Sequence, residues 1–346
     1  MVGADTDEIL ARVDGRVGLL ILNRPKAINS LTHGMVRAMD STLASWADDD
    51  AVRAVVVAGS GERGLCAGGD VVALYHSAKA GGAEARAFFF DEYRLNSRVG
   101  HYPKPYIALM DGIVMGGGVG ISGHGNVRVV TETCKVAMPE VGIGFIPDVG
   151  GTFLLSRAPG LLGLHAALTG APFGAGDAIA MGFADHFVPQ HNLEEFTAAV
   201  IADGVEGAVA AHAVEPPPSP LAAQREWIDQ CYSGETIADI LAALRGHGED
   251  PANEAADLIA TRSPIALSVT LAAVRRAATL PSLDDVLVQE YRVSCASLRS
   301  HDFVEGIRAQ LVDKDRNPRW SPCSLAAVTD ADVRAYFEPA DPDLTF

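Results

Sequence analysis

In the stretch VAMPEVGIGFIPDVGGTF two carboxylates, Glu140 and Asp148, stand among apolar residues and glycines with no basic residue nearby in sequence. A carboxyl group in such company loses solvation, which raises its pKa and suits it to acid–base or nucleophilic work near neutral pH. A third acid, Glu92 in FFFDEYRLNSRVG, shares one helical face with Phe88, Leu95 and Val99 and is expected to point inward. Each acid also has an ordinary reading. Glu140 can be a plain loop residue, Asp148 an N-cap for a helix beginning near Thr152, and Glu92 a surface position.

Two glycine clusters, CAGGD (Cys66 to Asp70) and MGGGVG (Met115 to Gly120), supply backbone that no Cβ obstructs. A ligand oxygen can then approach peptide N–H groups closely, as an oxyanion hole requires, although the same glycines would serve close packing or turns with positive φ. Two literal GxGxxG matches, Gly59 to Gly64 and Gly118 to Gly123, do not read as dinucleotide fingerprints. The first runs on into LCAGGD and the second lacks an acidic-ended second strand at the right distance, so a nicotinamide or flavin site is not expected. No G-x-S-x-G, HExxH or P-loop occurs, and His101 and His124 are isolated. The five cysteines form no CxxC pair, so neither a zinc knuckle nor a disulfide framework is expected, and a reducing compartment fits.

These residues need elements to hold them. EILARVDGRVGLLILNRP reads as a hairpin with Asp14-Gly15 favouring a type I′ turn. Thr32 is a candidate N-cap for a helix whose apolar stripe is Met35, Met39, Leu43 and Trp46, and RAVVVAG follows as a buried strand. Further strands are read at PYIALMDG, NVRVVTE and CKVAMPE, and their alternation with helices gives an α/β class. After about residue 205 the chain turns Ala/Leu-rich, with a proline cluster at Pro216 to Pro220 and helical periodicity around 235–245, 264–279, 284–299 and 302–312. Residues 1–205 are therefore read as a core and 206–346 as a helical C-terminal region.

With 346 residues, 48% hydrophobic and 21% charged, the chain has the balance of a soluble globular protein with a large core. Its formal charge of −17 disfavours nucleic acid and anionic membrane as partners. An anionic small molecule stays possible where N–H donors or local bases receive it. The N-terminal MVGADTDEILARV has neither an apolar core nor an Arg-rich amphipathic pattern, and no long apolar run follows, so a cytoplasmic, unanchored protein is expected.

Taken together and in order, LNRPKAINSL, LCAGGD, PYIALMDGIVMGGGVGIS and AMPEVGIGFIPDVGG resemble the enoyl-CoA hydratase/isomerase (crotonase) superfamily over about residues 8–205. The resemblance implies a spiral of ββα units, an acyl-CoA substrate, and an oxyanion hole made by the N–H groups of Gly69 and Gly117. Hydratases of the superfamily use two glutamates; here Gly120 stands at the first position, Glu140 at the second, and Asp148 where hydratases usually carry glycine. That set, with Glu92 and the C-terminal run EYRVSCASLRSHDFVEGIRAQLVDKDRNPRW, resembles the 3-hydroxyisobutyryl-CoA hydrolase branch.

The branch implies hydrolysis of a short β-hydroxyacyl-CoA thioester, 3-hydroxyisobutyryl-CoA of valine catabolism first of all, to the free acid and CoA. Glu140 would act as nucleophile or general base, Asp148 would hold the β-hydroxyl, and Glu92 would line the pocket. Arg24 and Lys26 are candidates for CoA phosphates, with solvated loop charges as the plain alternative, and Lys314 is flanked by two aspartates. No metal or other cofactor is implied, since CoA belongs to the substrate. The competing activities are an enoyl-CoA isomerase or hydratase, and in another class a non-catalytic acyl-CoA-binding protein. A trimer-based homo-oligomer and a monomer are both compatible with the resemblance; acyl-chain choice and the role of residues 206–255 are open at this level.

Overall fold

The computed structural model describes residues 7–346; the first six residues, and with them the start of the segment read above for targeting signals, lie outside the described residues. The chain forms two compact units, each assembled from three stretches. The first comprises Met1–Gly69, Arg94–Val136 and Phe173–Ser219, and the second Asp70–Tyr93, Ala137–Pro172 and Pro220–Phe346. The last change of unit falls inside the proline cluster that marks the change of character in the sequence. The cut expected after residue 205 follows the change of composition, whereas packing groups the chain in this interleaved way.

In the first unit, β1 (Ile9–Asp14) and β2 (Val17–Leu22) pair antiparallel, from Ile9 opposite Leu22 to Asp14 opposite Val17. That register makes Gly15 and Arg16 the two-residue loop. Only Gly15, at φ 58°, is left-handed, so the turn has its glycine first and is not the type I′ turn expected at Asp14-Gly15. Asp14 is consumed by the ladder, and one positive-φ residue suffices for a glycine-first turn.

Parallel strands β3 (Ala54–Gly59), β4 (Tyr106–Met110), β6 (Val127–Val130) and β8 (His186–Phe187) extend the sheet in the order β1-β2-β3-β4-β6-β8. Strands β5 (Ile113–Met115) and β7 (Lys135–Ala137) make a separate pair. All five residues of β4 are buried, the continuous apolar pattern of a strand covered on both faces. The connection from β2 to β3 is the helix His33–Asp48, where the Thr32 hydroxyl accepts the Met35 N–H at 3.2 Å and Met35, Met39, Leu43 and Trp46 are buried. Gly18 leaves room for the Trp46 indole, which a Cβ there would overlap. Phe196, Val200, Val205 and Ala208 from the helices Leu193–Asp203 and Val205–His212 share one buried apolar cluster with the sheet residues Leu19, Val56, Ile107 and Val129.

The second unit is helical. The expected C-terminal helices are present as Ile237–His247, Pro264–Ala277, Leu283–Ser297 and His301–Ile307, the last running into a π turn at Arg308–Val312. Ser263, Ser282 and Ser300 each accept a first-turn N–H as N-caps, and Pro264 follows its cap at the first helical position. Ile265, Val269 and Ala273 cluster with Val293 and Ile146, which ties the Asp148 loop to these helices. No single helix among the described residues is long and apolar enough to cross a membrane.

Candidate active site

The three acids singled out in the sequence come together in the second unit. Glu92, Glu140 and Asp148 are all buried. Glu92 projects from the helix Ala83–Gly100 on the face of Phe88, Leu95 and Val99, all buried as the spacing predicts. Glu140 opens the 3-10 turn Glu140–Ile143, which Gly144 ends at φ 71°. Phe89 stacks on Phe145 at 5.8 Å between ring centres, and Phe145 meets Phe303 edge-on at 5.3 Å, so aromatic rings take the place of water nearby.

Burial is the main cause of unusual acidity here. It pushes Glu92 and Glu140 well above the ordinary carboxyl range, and the Asp148 charge pushes both further. Asp148 rises to about 7 by burial, against the pull of a hydrogen bond from Tyr93. Acids that feel one another in this way shed protons as a set, and near neutral pH the set is partly protonated. Glu92 Oε1 and Glu140 Oε2 are buried with no partner among the described residues. Both amide atoms of Asn96, one turn along the same helix as Glu92, are also buried and unpaired. Unsatisfied polar atoms are costly in a folded chain, and atoms that wait for a substrate are one reason to keep them.

The reading of Asp148 as an N-cap does not hold. The helix Gly151–Arg157 has Gly150 at its N-cap position with no side-chain cap from its own chain segment. Instead the Tyr93 hydroxyl donates to Asp148 Oδ2 at 2.6 Å, and Ser294 Oγ lies 2.6 Å from the same hydroxyl. The helix start is held from outside by Glu290, whose Oε2 accepts the Gly150 N–H at 2.6 Å and whose Oε1 accepts the Thr152 N–H at 2.9 Å and the Thr152 hydroxyl at 2.5 Å. Burial pushes Glu290 up to about 8 against the pull of these donors. Sequence reasoning missed Tyr93, Glu290 and Ser294. The signal existed, because Glu290 and Ser294 lie on the helical face of Val286, Leu287 and Val293, where a polar residue must be buried.

The backbone donors belong to the first unit. Hydrogen bonds join residues 63–66 to 111–115: Ile113 N–H to Arg63 O, Leu65 N–H to Asp111 O, Cys66 N–H to Ile113 O and Met115 N–H to Cys66 O, at 2.9 to 3.2 Å. Gly118 must lack a Cβ, which would strike the Cys66 carbonyl. Gly69 and Gly117 each stand three residues beyond the Cys66–Val114 bridge. Leu31 bonds to the carbonyl of Gly68 at 2.8 Å, and no acceptor among the described residues takes the N–H of Gly69 or of Gly117. Gly117 opens the short helix Gly117–Gly120, where a free N–H is the rule. The two glycine segments thus offer unengaged donors on a tightly bonded support.

The LNRPKAIN loop provides part of that support. Asn29 gives its amide to Ser60 O and Gly64 O and accepts the Arg24 N–H, and Ala67 N–H bonds to Ile28 O. Arg24 itself pairs with Glu8 at 3.0 Å and donates to Ser30 O at 2.6 Å. Its guanidinium therefore serves the loop in this structure, paired rather than solvated. Lys26 is exposed on the 3-10 turn Pro25–Ala27, and Lys314 has left-handed φ 59° in an exposed loop. Among the described residues no group of three or more His, Cys, Asp or Glu is placed to hold a metal ion.

Comparison with known proteins agrees on a superfamily and divides on the reaction. A family model described as enoyl-CoA hydratase/isomerase matches residues 17–337. Relatives named mitochondrial 3-hydroxyisobutyryl-CoA hydrolase include one from Danio rerio, 40% identical over 347 residues, which span 96% of this chain and 90% of the relative. Another, from Homo sapiens, is 39% identical over 343 residues, 96% of this chain and 89% of the relative. Among solved structures, a carnitinyl-CoA dehydratase from Mycobacterium thermoresistibile is 72% identical, with TM-score 0.96 and 99% of both chains covered. An enoyl-CoA hydratase from Rhodobacter sphaeroides 2.4.1 is 40% identical, with TM-score 0.92, covering 98% of this chain and 100% of that one.

Proposed function

The chain belongs to the enoyl-CoA hydratase/isomerase family, and from that membership we propose that it is a CoA-thioester hydrolase acting on 3-hydroxyisobutyryl-CoA. The α/β, crotonase-like fold with its helical C-terminal region, expected from the resemblance, is the fold it has. The observation that carries the reading is the buried trio of Glu140, Asp148 and Glu92, with Gly120 where a hydratase of the superfamily has its first glutamate. A single glutamate leaves water addition across a double bond without its second acid. An extra aspartate, by contrast, gives a β-hydroxyl an acceptor.

In this reading the thioester oxygen takes the N–H groups of Gly69 and Gly117, and the negative charge that grows on it in the transition state is stabilised there. Glu140 either attacks the carbonyl carbon, so that an anhydride forms as the C–S bond breaks and CoA leaves and water then hydrolyses the anhydride to the free acid, or draws a proton from a water that displaces CoA directly, the proton passing to the leaving thiolate. Asp148 accepts the substrate hydroxyl and fixes the acyl group against Glu140, and Glu92 supplies a further polar contact. The product acid would belong to valine breakdown.

A second reading has support in the names of the similar solved structures, a dehydratase and a hydratase. The two separate in one assay series. CoA release from 3-hydroxyisobutyryl-CoA is followed with a thiol reagent, beside loss of the double-bond absorbance of crotonyl-CoA. The hydrolase reading expects thiol release that falls by about 10² to 10⁴ in Glu140→Gln while folding is kept. Hydration of crotonyl-CoA without thiol release would sink it.

A further inference from the structure

The loop that carries Asp148 keeps an unfavourable backbone. Val149, buried, has φ 54°, a left-handed value that a β-branched residue rarely takes, and Gly150 continues at φ 78°. Such a conformation persists only where the surroundings hold it. The turn is closed by its own Gly151 N–H to Asp148 O bond at 2.6 Å, and it is braced from outside by Glu290, fully buried, on the helix Leu283–Ser297. Its carboxylate takes the N–H of Gly150, directly after the strained residue, and both donors of Thr152. One turn further along that helix, Ser294 meets the Tyr93 hydroxyl that donates to Asp148. Backbone and side chain of the Asp148 segment are thus both referenced to a single helix.

Resting on the hydrolase reading, we propose that Glu290 is a positioning residue, whose carboxylate holds Val149 and Gly150 left-handed and so aims Asp148 at the substrate hydroxyl. It touches none of the reacting atoms. Three donors converge on its two oxygens, and a glutamine would turn its own NH₂ toward one of them. Small displacements of a substrate-orienting group are costly, so Glu290→Gln is expected to lower kcat by about 10²-fold.

The test pairs Glu290→Gln with Val149→Gly, because glycine takes a left-handed φ without strain. Wild type, both single variants and the double variant are compared by kcat and KM for 3-hydroxyisobutyryl-CoA, with folding checked by circular dichroism. If the clamp acts through the backbone, Val149→Gly restores about tenfold of kcat in the Glu290→Gln background, a coupling that independent structural damage would not give. Losses that simply multiply in the double variant, or a Glu290→Gln enzyme with wild-type kcat, would overturn the proposal. Should Glu290→Gln not fold, Thr152→Val removes one of the three donors and is read in the same cycle, with a smaller loss and the same rescue expected. Should the wild type release no CoA, the hydrolase reading fails by itself. The clamp is then read without substrate, from amide exchange at Gly150 and Thr152, which must quicken in the variant and stay unchanged if the proposal is wrong.

Discussion

At the level of single residues, the proposed function depends on carboxyl groups that burial keeps partly protonated near neutrality. Asp148 titrates at about 7, and the Tyr93 hydroxyl, by favouring the charged form, keeps it from rising further. In the proposed reaction Asp148 and Glu140 both work best ionised, so kcat/KM is expected to rise with pH through the titration of the set. Tyr93→Phe removes the donor and should move the inflection upward; a pH profile that stays in place would show that Tyr93 does not control Asp148. The acids were legible in the sequence because almost nothing else near Glu140 and Asp148 is charged. Glu290 was not, since what it binds lies about 140 residues earlier in the chain, at Gly150 and Thr152. Only the apolar face of its own helix hinted at burial.

Between elements, glycines decide how closely the supports approach. The helix His301–Ile307 presses on the turn that begins with Glu140. A Cβ at Gly306 would overlap the Ile143 carbonyl, and one at Gly144 would overlap the Asp302 carbonyl. Asp302 is itself fixed, accepting the Ser263 hydroxyl at 2.5 Å and the Ser321 N–H at 2.7 Å. Asp302, Phe303 and Gly306 of the C-terminal run therefore have a physical purpose that the sequence could signal only as resemblance: they seat the Glu140 turn. Gly306→Ala is expected to cost about 1–3 kcal/mol by overpacking, visible as a lower melting temperature, and to reduce turnover by displacing Glu140. Unchanged turnover would mean that the turn tolerates the shift. The hairpin and the helix stripes were readable from spacing alone. The hairpin turn type was not, because Asp14-Gly15 does not reveal which two residues leave the ladder before the register is known.

For the molecule as a whole, the same buried acids tie stability to pH. Folded Asp148 keeps its proton up to about 7, whereas its ordinary value is 3.8, so between these values the folded chain binds more protons than the unfolded one. Stability contributed by this group is full below the lower value and is lost as pH rises through the upper one, on the order of 4 kcal/mol in all. Denaturation of wild type beside Asp148→Asn from pH 4 to 8 should therefore show the variant gaining relative stability as pH rises. A constant difference would mean that Asp148 ionises normally in the fold. The charge of −17 takes on a narrower meaning at this scale, since the proposed CoA ester would be received at its thioester oxygen by the unengaged N–H groups of Gly69 and Gly117, an interaction that does not depend on net charge. The reaction itself is tested most directly by letting the enzyme turn over 3-hydroxyisobutyryl-CoA in ¹⁸O-water and locating the label by mass spectrometry. Hydrolysis places ¹⁸O in the carboxylate of the released acid, with one free CoA for each acid formed. Label at the β-hydroxyl of an intact thioester would contradict it and assign the chain to water addition and removal.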